Sequence, residues 1–277
     1  MPNDLGRGKH SLLAHFRVRV QYLCLHRPGA ALSLSSNLSI AGAKPLITGE
    51  LGFDLRQIPG LIALYDASAQ GSLYQDDALT TRVTSSGQSV GGIVDLSGNQ
   101  RHLLQATSSK RPMYKSTDLS GGPCIVGDGL DDYLLTNAFA SVPQPHSVVI
   151  CVQMPSVAGT QYITSADVRA IGTDCASTLW RWDAGGNVST GITADTSPHI
   201  LTALFSGNNS TFAVDAGTPA TGSPGSTAIT QIRVASRSDG TSYGAGRIGL
   251  IAVVSGSVSN EFVARIRNYC RLRWAVP

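Results

Sequence analysis

The amino-acid sequence predicts an all-β sandwich with an extended N-terminal arm and one closing helix at the C-terminus. Two observations carry the prediction. Only two glutamates, Glu50 and Glu261, stand among 277 residues, against sixteen aspartates; Glu favours helices and Asp favours turns, so helices must be scarce. From Ile58 onward, short apolar runs alternate with Gly, Asn, Asp and Ser turns, the pattern of antiparallel strands joined by tight turns. Charged residues are 14% of the chain, against about a quarter in an average globular protein. This composition disfavours helical bundles, coiled coils and βαβ folds. A net charge of +3 is too small and too scattered to mark a nucleic-acid surface. No apolar run approaches the roughly 18 residues of a membrane span.

Taken in order, Phe16, Val18, Val20, Tyr22 and Cys24 alternate with Arg17, Arg19 and Gln21, the period of a half-buried strand. Arg17 and Arg19 also interrupt the apolar stretch that a secretory signal needs. The stretch from Pro28 to Pro45, rich in Ala, Ser and Gly, reads as an extended linker. An arm at residues 1–56 and a sandwich at 57–277 follow. Six Lys or Arg against Asp4 and Glu50 make residues 1–53 basic.

Strands are expected at Leu61–Tyr65, Pro123–Val126, Tyr133–Leu135, Ser147–Met154, Tyr162–Thr164 and Ala170–Gly172. More are expected at Leu179–Trp182, Ile200–Ser206, Thr211–Asp215, Ile232–Ser236 and Arg247–Val254. Gly207-Asn208-Asn209 joins two of these into a hairpin, with Asn tolerating positive φ in its loop. Beyond Ser257 or Ser259 as a cap, Phe262, Val263, Ile266, Tyr269 and Cys270 form an apolar stripe at helical spacing. Glu261 in the first turn and Arg271 and Arg273 in the last suit the helix dipole. Five cysteines without a CxxC pair point to buried free thiols rather than to a zinc site or a disulfide framework.

Several words occur in a telling order: Ile58-Pro-Gly-Leu-Ile-Ala-Leu-Tyr-Asp-Ala-Ser68, Leu73-Tyr-Gln-Asp-Asp77, Val94-Asp-Leu-Ser-Gly-Asn99 with His102, Arg111-Pro-Met-Tyr114 and Val126-Gly-Asp-Gly-Leu-Asp-Asp-Tyr-Leu134. With Gly246-Arg-Ile-Gly-Leu-Ile-Ala-Val-Val254 and the helix after it, residues 57–277 resemble the concanavalin A-like lectin/glucanase (laminin G-like) jelly rolls of bacteriophage structural proteins. The resemblance implies a jelly-roll sandwich and a place on a virion. It says little of activity, because that superfamily includes lectins, hydrolases and purely structural modules.

Candidate sites follow from residue chemistry. Trp180-Arg-Trp182 puts two indoles on one face of a strand, a stacking platform for sugar rings with Asn187 and Tyr243 as neighbours; burial of both indoles would make them core instead. Asp95, Asn99, Asp128 and Asp131 are candidate calcium ligands, although Asx turns use the same residue types. Otherwise no cofactor is expected. Glycoside hydrolysis needs two carboxyls with divergent pKa values, which hydrolases of the resembled superfamily carry on one strand. No expected strand holds a glutamate. Paired aspartates, Asp128, Asp131, Asp132 and Asp183, are the substitutes, but Asp131 and Asp132 are adjacent and would face opposite sides of a strand. The six histidines lack metal-ligand spacing and read as structural or solvated.

The expectation is therefore a non-enzymatic bacteriophage virion protein, made in the host cytoplasm and placed on the tail or capsid surface. Its unpaired arm strand, through Phe16, Arg17, Val18, Arg19, Val20 and Tyr22, would add to another virion protein. As a tail fibre or adhesin it would bind host surface polysaccharide; as a decoration protein it would bind only virion partners; as a depolymerase it would cleave the polysaccharide. By analogy with phage fibres it would be a homo-oligomer, a trimer in particular, with no nucleic-acid partner.

Overall fold

The computed structural model of the chain describes residues 54–158, 161–166, 169–173, 178–186, 188–237 and 242–277. All belong to one unit, Lys44–Pro277. The expected arm strand, with Phe16, Arg17, Val18, Arg19, Val20 and Tyr22, lies outside the described residues, as do Cys24, Cys175 and Asn187.

In chain order come β1 (Leu61–Asp66), β2 (Leu73–Tyr74), β3 (Gly92–Ile93), β4 (Leu103–Leu104), β5 (Met113–Leu119), β6 (Gly122–Val126), β7 (Leu134–Leu135) and β8 (His146–Gln153). Next are β9 (Gln161–Ala166), β10 (Arg169–Thr173), β11 (Leu179–Ala184) and β12 (Val188–Thr193). Last come β13 (Pro198–Phe205), β14 (Ser210–Val214), β15 (Ala220–Gly222), β16 (Arg233–Val234), β17 (Arg247–Ser255) and helix α1 (Asn260–Trp274). One sheet runs β15-β14-β13-β8-β17-β6-β5, with β1 also paired to β17; the other runs β12-β11-β10-β9-β16-β7-β4-β3-β2. β1 and β6 share one side of β17, which pairs with β6 at Arg247 and Ile248 and with β1 from Leu250 to Val254. The chain is thus an all-β sandwich with a C-terminal helix.

The alternation of β-strand side chains explains why β8 and β17 read as continuous apolar runs. On β8, Val148, Ile150 and Val152 enter the core between the sheets, while Val149 and Cys151 enter a second core under the helix. On β17, Ile251 and Val253 face the first core, and Leu250, Ala252 and Val254 the second. The thiols of Cys124, Cys151 and Cys270 are free and buried, as expected of the described cysteines.

Helix α1 starts where Ser259 accepts the Phe262 N–H at 3.3 Å, a side-chain cap for an otherwise unpaired helix donor. Its stripe of Val263, Ile266, Tyr269, Cys270 and Trp274 is buried on the outer face of the first sheet. Trp274 anchors the far end: its indole N–H donates to the Pro123 carbonyl at 2.6 Å. The ring fits only because residues 122 and 249 are glycines, where a Cβ would stand 2.4 and 2.7 Å from the indole. Tyr269 donates to the buried Asp66 carboxylate, which also accepts the Ser68 N–H at 2.7 Å and hydroxyl at 2.6 Å. Burial pushes the Asp66 carboxyl up from its usual range, and these hydrogen bonds oppose the shift.

β2, β3, β4, β12 and β15 are strands not expected from the sequence, and two further details depart from expectation. β5 was not expected, because Lys115, Ser116, Thr117 and Asp118 break any apolar period; it is a half-solvated sheet edge, where polar side chains are suited. In the β13–β14 hairpin, Gly207 takes the positive φ of 56° rather than an asparagine.

Candidate functional site

Between β6 and β7 the chain makes a turn, Asp128-Gly-Leu-Asp-Asp132, that gathers three carboxylates. Oxygens of Asp128, Asp131 and Asp132 all lie within 4.8 Å of one another. The turn is held from inside: Asp128 Oδ1 accepts the N–H groups of Leu130, Asp131 and Asp132 at 2.8, 3.2 and 3.3 Å. Asp132 Oδ2 returns the bond by accepting the Asp128 N–H at 3.0 Å. Gly129 supplies the positive φ of 76°, and at Gly127 a Cβ would stand 2.5 Å from the Gly244 carbonyl, so the turn lies directly on the 244–245 segment.

The three carboxylates are not equivalent. Asp132 is buried, Asp131 half-buried and Asp128 exposed. Burial, with the charges of Asp128 and Asp131 adding to it, pushes the Asp132 carboxyl up to about 6, against the opposing hydrogen bond from Asp128. Leu130, at the tip, is 76% exposed, and the Arg233 guanidinium stacks over Tyr133 at 4.2 Å. The set could hold a metal ion, since neither oxygen of Asp131 takes a hydrogen bond within the turn.

Asp131 and Asp132 were expected to point apart along a strand. They do not, because both precede β7 and lie in an irregular bend, where alternation does not apply. The residue left out of the candidate metal set, Asp132, is the buried one of the three. Two aspartates at adjacent positions after an Asp-Gly turn were the available signal.

The other metal candidates are corrected. Asp95 turns inward: Oδ1 accepts the Leu64 N–H at 3.0 Å and the Ser97 N–H at 2.9 Å, and Oδ2 the Ser97 hydroxyl at 2.8 Å and the Arg101 N–H at 3.1 Å. Asn99 gives its amide to the Leu61 and Ile62 carbonyls at 2.8 and 3.0 Å. Both residues tie the 94–102 loop to β1, and neither belongs to the acidic cluster.

The glycan platform is corrected as well. Trp180 and Trp182 are fully buried; Trp182 packs on Phe205 and Phe212 with ring centroids 5.9 and 5.8 Å apart. Period two puts both indoles on the inner face of β11, with Arg181 outside, so neither can stack on a sugar. Tyr243, half-buried, pairs with Ser236 just before the segment that backs the acidic turn.

One histidine constellation escaped the sequence because its parts come from β13, from the loop before it and from the turn after β14. His199 on β13 lies between two aspartates, Nδ1 at 2.7 Å from Asp215 Oδ2 and Nε2 at 3.0 Å from Asp195 Oδ1. Burial works against its charge, but the hydrogen bonds and charges of Asp215 and Asp195 prevail, so its pKa is raised above 6.5. A raised folded pKa adds stability in full below the unfolded value and loses it as pH rises through the folded one. The wild type is therefore expected to lose Tm relative to His199→Gln as pH climbs from 6 towards 9. Parallel pH–Tm curves for the two proteins would show that the clamp is not ionised.

No family model matches the chain, and no curated protein matches it. Among solved structures, a GH54 α-L-arabinofuranosidase soaked with a cyclic sulfate inhibitor aligns with a TM-score of 0.56 and 13% identity over 78% of this chain and 64% of that one. An arabinofuranosidase complexed with arabinofuranosyl-alpha-1,2-xylobiose aligns with the same TM-score, 0.56, at 14% identity. A Trypanosoma rangeli sialidase aligns at 0.48 and 11% identity over 76% of this chain and 33% of that one. The chain thus spans less than two thirds of these proteins. At such identity the arabinofuranosidase likeness establishes the fold alone. The arabinofuranosidases found to share this architecture are enzymes, so the expectation that the chain is not an enzyme is corrected: the fold carries no such exclusion.

Proposed function

We propose that the chain is a carbohydrate-active enzyme that cleaves a glycosidic bond in a polysaccharide, with the Asp128–Asp131–Asp132 turn as its catalytic centre. The observation that supports it most is the uneven burial of the cluster. Asp132 keeps its proton up to about pH 6 beside carboxylates in more exposed positions, the arrangement of a proton donor next to a nucleophile or base. The spacing, within 4.8 Å, is close to the roughly 5–5.5 Å of glycosidases that retain configuration.

Asp131 is the better nucleophile, because Asp128 Oδ1 is already occupied by three N–H donors. An Asp131 oxygen bonds to the anomeric carbon as the glycosidic C–O bond breaks, and the Asp132 proton goes to the departing oxygen. Water then attacks the same carbon, giving its proton to Asp132 and releasing Asp131. The exposed Leu130 offers an apolar contact for a sugar face. The missing strand-borne glutamate is no obstacle, because a turn can supply the carboxyl pair.

Incubation with a polysaccharide panel that includes arabinofuranosyl-substituted xylan, a first choice from the likeness in fold, is expected to release reducing ends with retained configuration. Asp131→Asn is expected to lose that release by at least a hundredfold. Calcium would take the oxygens that the proton transfer needs, so it is expected to suppress turnover. Equal release by wild type and Asp131→Asn would overturn the assignment, and stimulation by calcium would make the turn a metal site instead.

A further inference from the structure

At the end of the first sheet from which the acidic turn departs, four strands present one row of side chains. Gln153 on β8 pairs with Arg247 on β17, Arg247 with Val126 on β6, and Val126 with Met113 on β5. Their chain neighbours Val152, Ile248, Ile125 and Tyr114 all enter the core between the sheets, so by strand alternation the row faces outward. At about 4.8 Å per strand it spans roughly 15 Å. Around Arg247 the row opens into a cleft of about 290 Å³, also lined by Asp118, Gln153, Pro155 and Thr196. That volume is close to the lower end, roughly 300 Å³, of small-ligand sites.

The row adjoins the acidic turn. Asp128 stands two residues after Val126, and Ala245, two residues before Arg247, is the residue that a Cβ at Gly129 would meet at 3.3 Å. Two residues of chain reach at most about 7 Å. The polar groups of the cleft keep capacity that the fold does not use. Arg247 Nε donates to Asp118 Oδ2 at 2.9 Å, while both Nη atoms of Arg247 and Oδ1 of Asp118 make no hydrogen bond among the described residues. Gln153 gives its amide N–H to the Thr196 carbonyl at 3.0 Å and keeps its own oxygen open. These groups are within reach of a ligand, since the Asp118 and Arg247 side chains are 42% and 25% exposed and Gln153 is half-buried. At the far end of the row Met113 is 46% exposed, an apolar contact for the face of a sugar ring. The one anion and one cation of the cleft cancel, so a charged ligand gains nothing there.

We infer that this cleft is a subsite for a neutral sugar residue beside the bond that is cut, its adjacent hydroxyls shared among the Asp118 carboxylate, the Arg247 guanidinium and the Gln153 amide. A carboxylate accepts from hydroxyl groups and a guanidinium donates to them, so two neighbouring hydroxyls find both partners at once. The ion pair sets both side chains before the sugar arrives, which lowers the ordering cost of binding. The place of the subsite in a reaction rests on the reading that the acidic turn cleaves glycans. One oligosaccharide lying along the row then meets the cleft and the carboxylates together.

The test is a screen of the full chain against immobilised neutral and uronate oligosaccharides, followed by calorimetric titration with the neutral one held most tightly. That neutral oligosaccharide is expected to bind at least tenfold more tightly than a uronate of equal length. Arg247→Gln should weaken its binding by at least tenfold, and should raise KM with kcat within about twofold. Tm should stay unchanged, because an exposed ion pair contributes little to stability. Asp118→Asn, nearly isosteric, should weaken binding several-fold and keeps the test readable should the arginine variant lose Tm. Failure of every neutral oligosaccharide to bind, a preference for uronates, or equal binding by wild type and Asp118→Asn would each overturn the subsite. Binding that depends on Arg247 without cleavage of any glycan would uphold the sugar site and overturn the catalytic reading alone. Cleavage whose KM is unchanged in Arg247→Gln would do the reverse.

Discussion

Replacing Asp132 by Asn is expected to lower glycan cleavage by about 10²–10⁴-fold, the contribution of a positioned general acid, while stabilising the protein above pH 6. The two effects have one cause. Burial, with the charges of Asp128 and Asp131, raises this carboxyl from 3.8 to about 6, which keeps a proton available for the leaving oxygen and makes the ionised form costly to the fold. For an acid with a raised folded pKa, the favourable contribution is present at low pH and lost as pH rises through the folded value. Wild type and Asp132→Asn should therefore show similar Tm below pH 4, and the variant should be the more stable above pH 6. Asparagine retains an oxygen that can accept the Asp128 N–H, now 3.0 Å from Asp132 Oδ2, so the turn should survive. In the wild type, cleavage should fall as pH rises past about 6, and in the variant that limb should vanish. Unchanged cleavage, or a loss of cleavage that merely follows a loss of Tm, would remove Asp132 from the mechanism.

Trp274→Ala is expected to cost about 3–5 kcal/mol, the range for emptying a buried aromatic site, and to lower Tm by about 10 °C, at roughly 2–4 °C per kcal/mol for a domain of this size. The side chain is fully buried, and its loss would open a cavity against Gly122 and Gly249 while leaving the Pro123 carbonyl without its partner. Collapse cannot refill the space, because both glycines belong to paired strands. Tyr269→Phe should cost less, about 1–3 kcal/mol, by depriving the buried Asp66 carboxylate of one donor. Urea unfolding gives both values. A cost below about 1 kcal/mol for Trp274→Ala would mean that α1 is not held to the sheet by its C-terminal end.

Much of this architecture was legible along the chain. β1, β8, β13, β14 and β17 announce themselves as apolar runs between turns, and α1 as a 3.6-residue stripe with Ser259 before it and Arg271 and Arg273 at its end. β2, β3 and β4 are two residues each, too short for any period to register, and β5 is a polar edge. The site was less legible. Asp128, Asp131 and Asp132 were visible as a cluster, but their directions were read with the rule for a strand, which fails in the bend before β7. Trp180 and Trp182 were placed on one face correctly, and nothing local could say whether that face met water or Phe205 and Phe212.

By itself, the sequence determined the fold class, the strands with a clear period, the capped helix and the acidic turn, because local preference and side-chain alternation are properties of neighbouring residues. Only the tertiary structure decided which face of β11 is core, that Asp95 turns inward to Leu64 and Arg101, that His199 lies between Asp195 and Asp215, and that Gln153 and Arg247 share a cleft. Each of those outcomes depends on strand register and on helix docking between residues distant along the chain. The burial that leads the upward shift of Asp132 exists only after those pairings have formed.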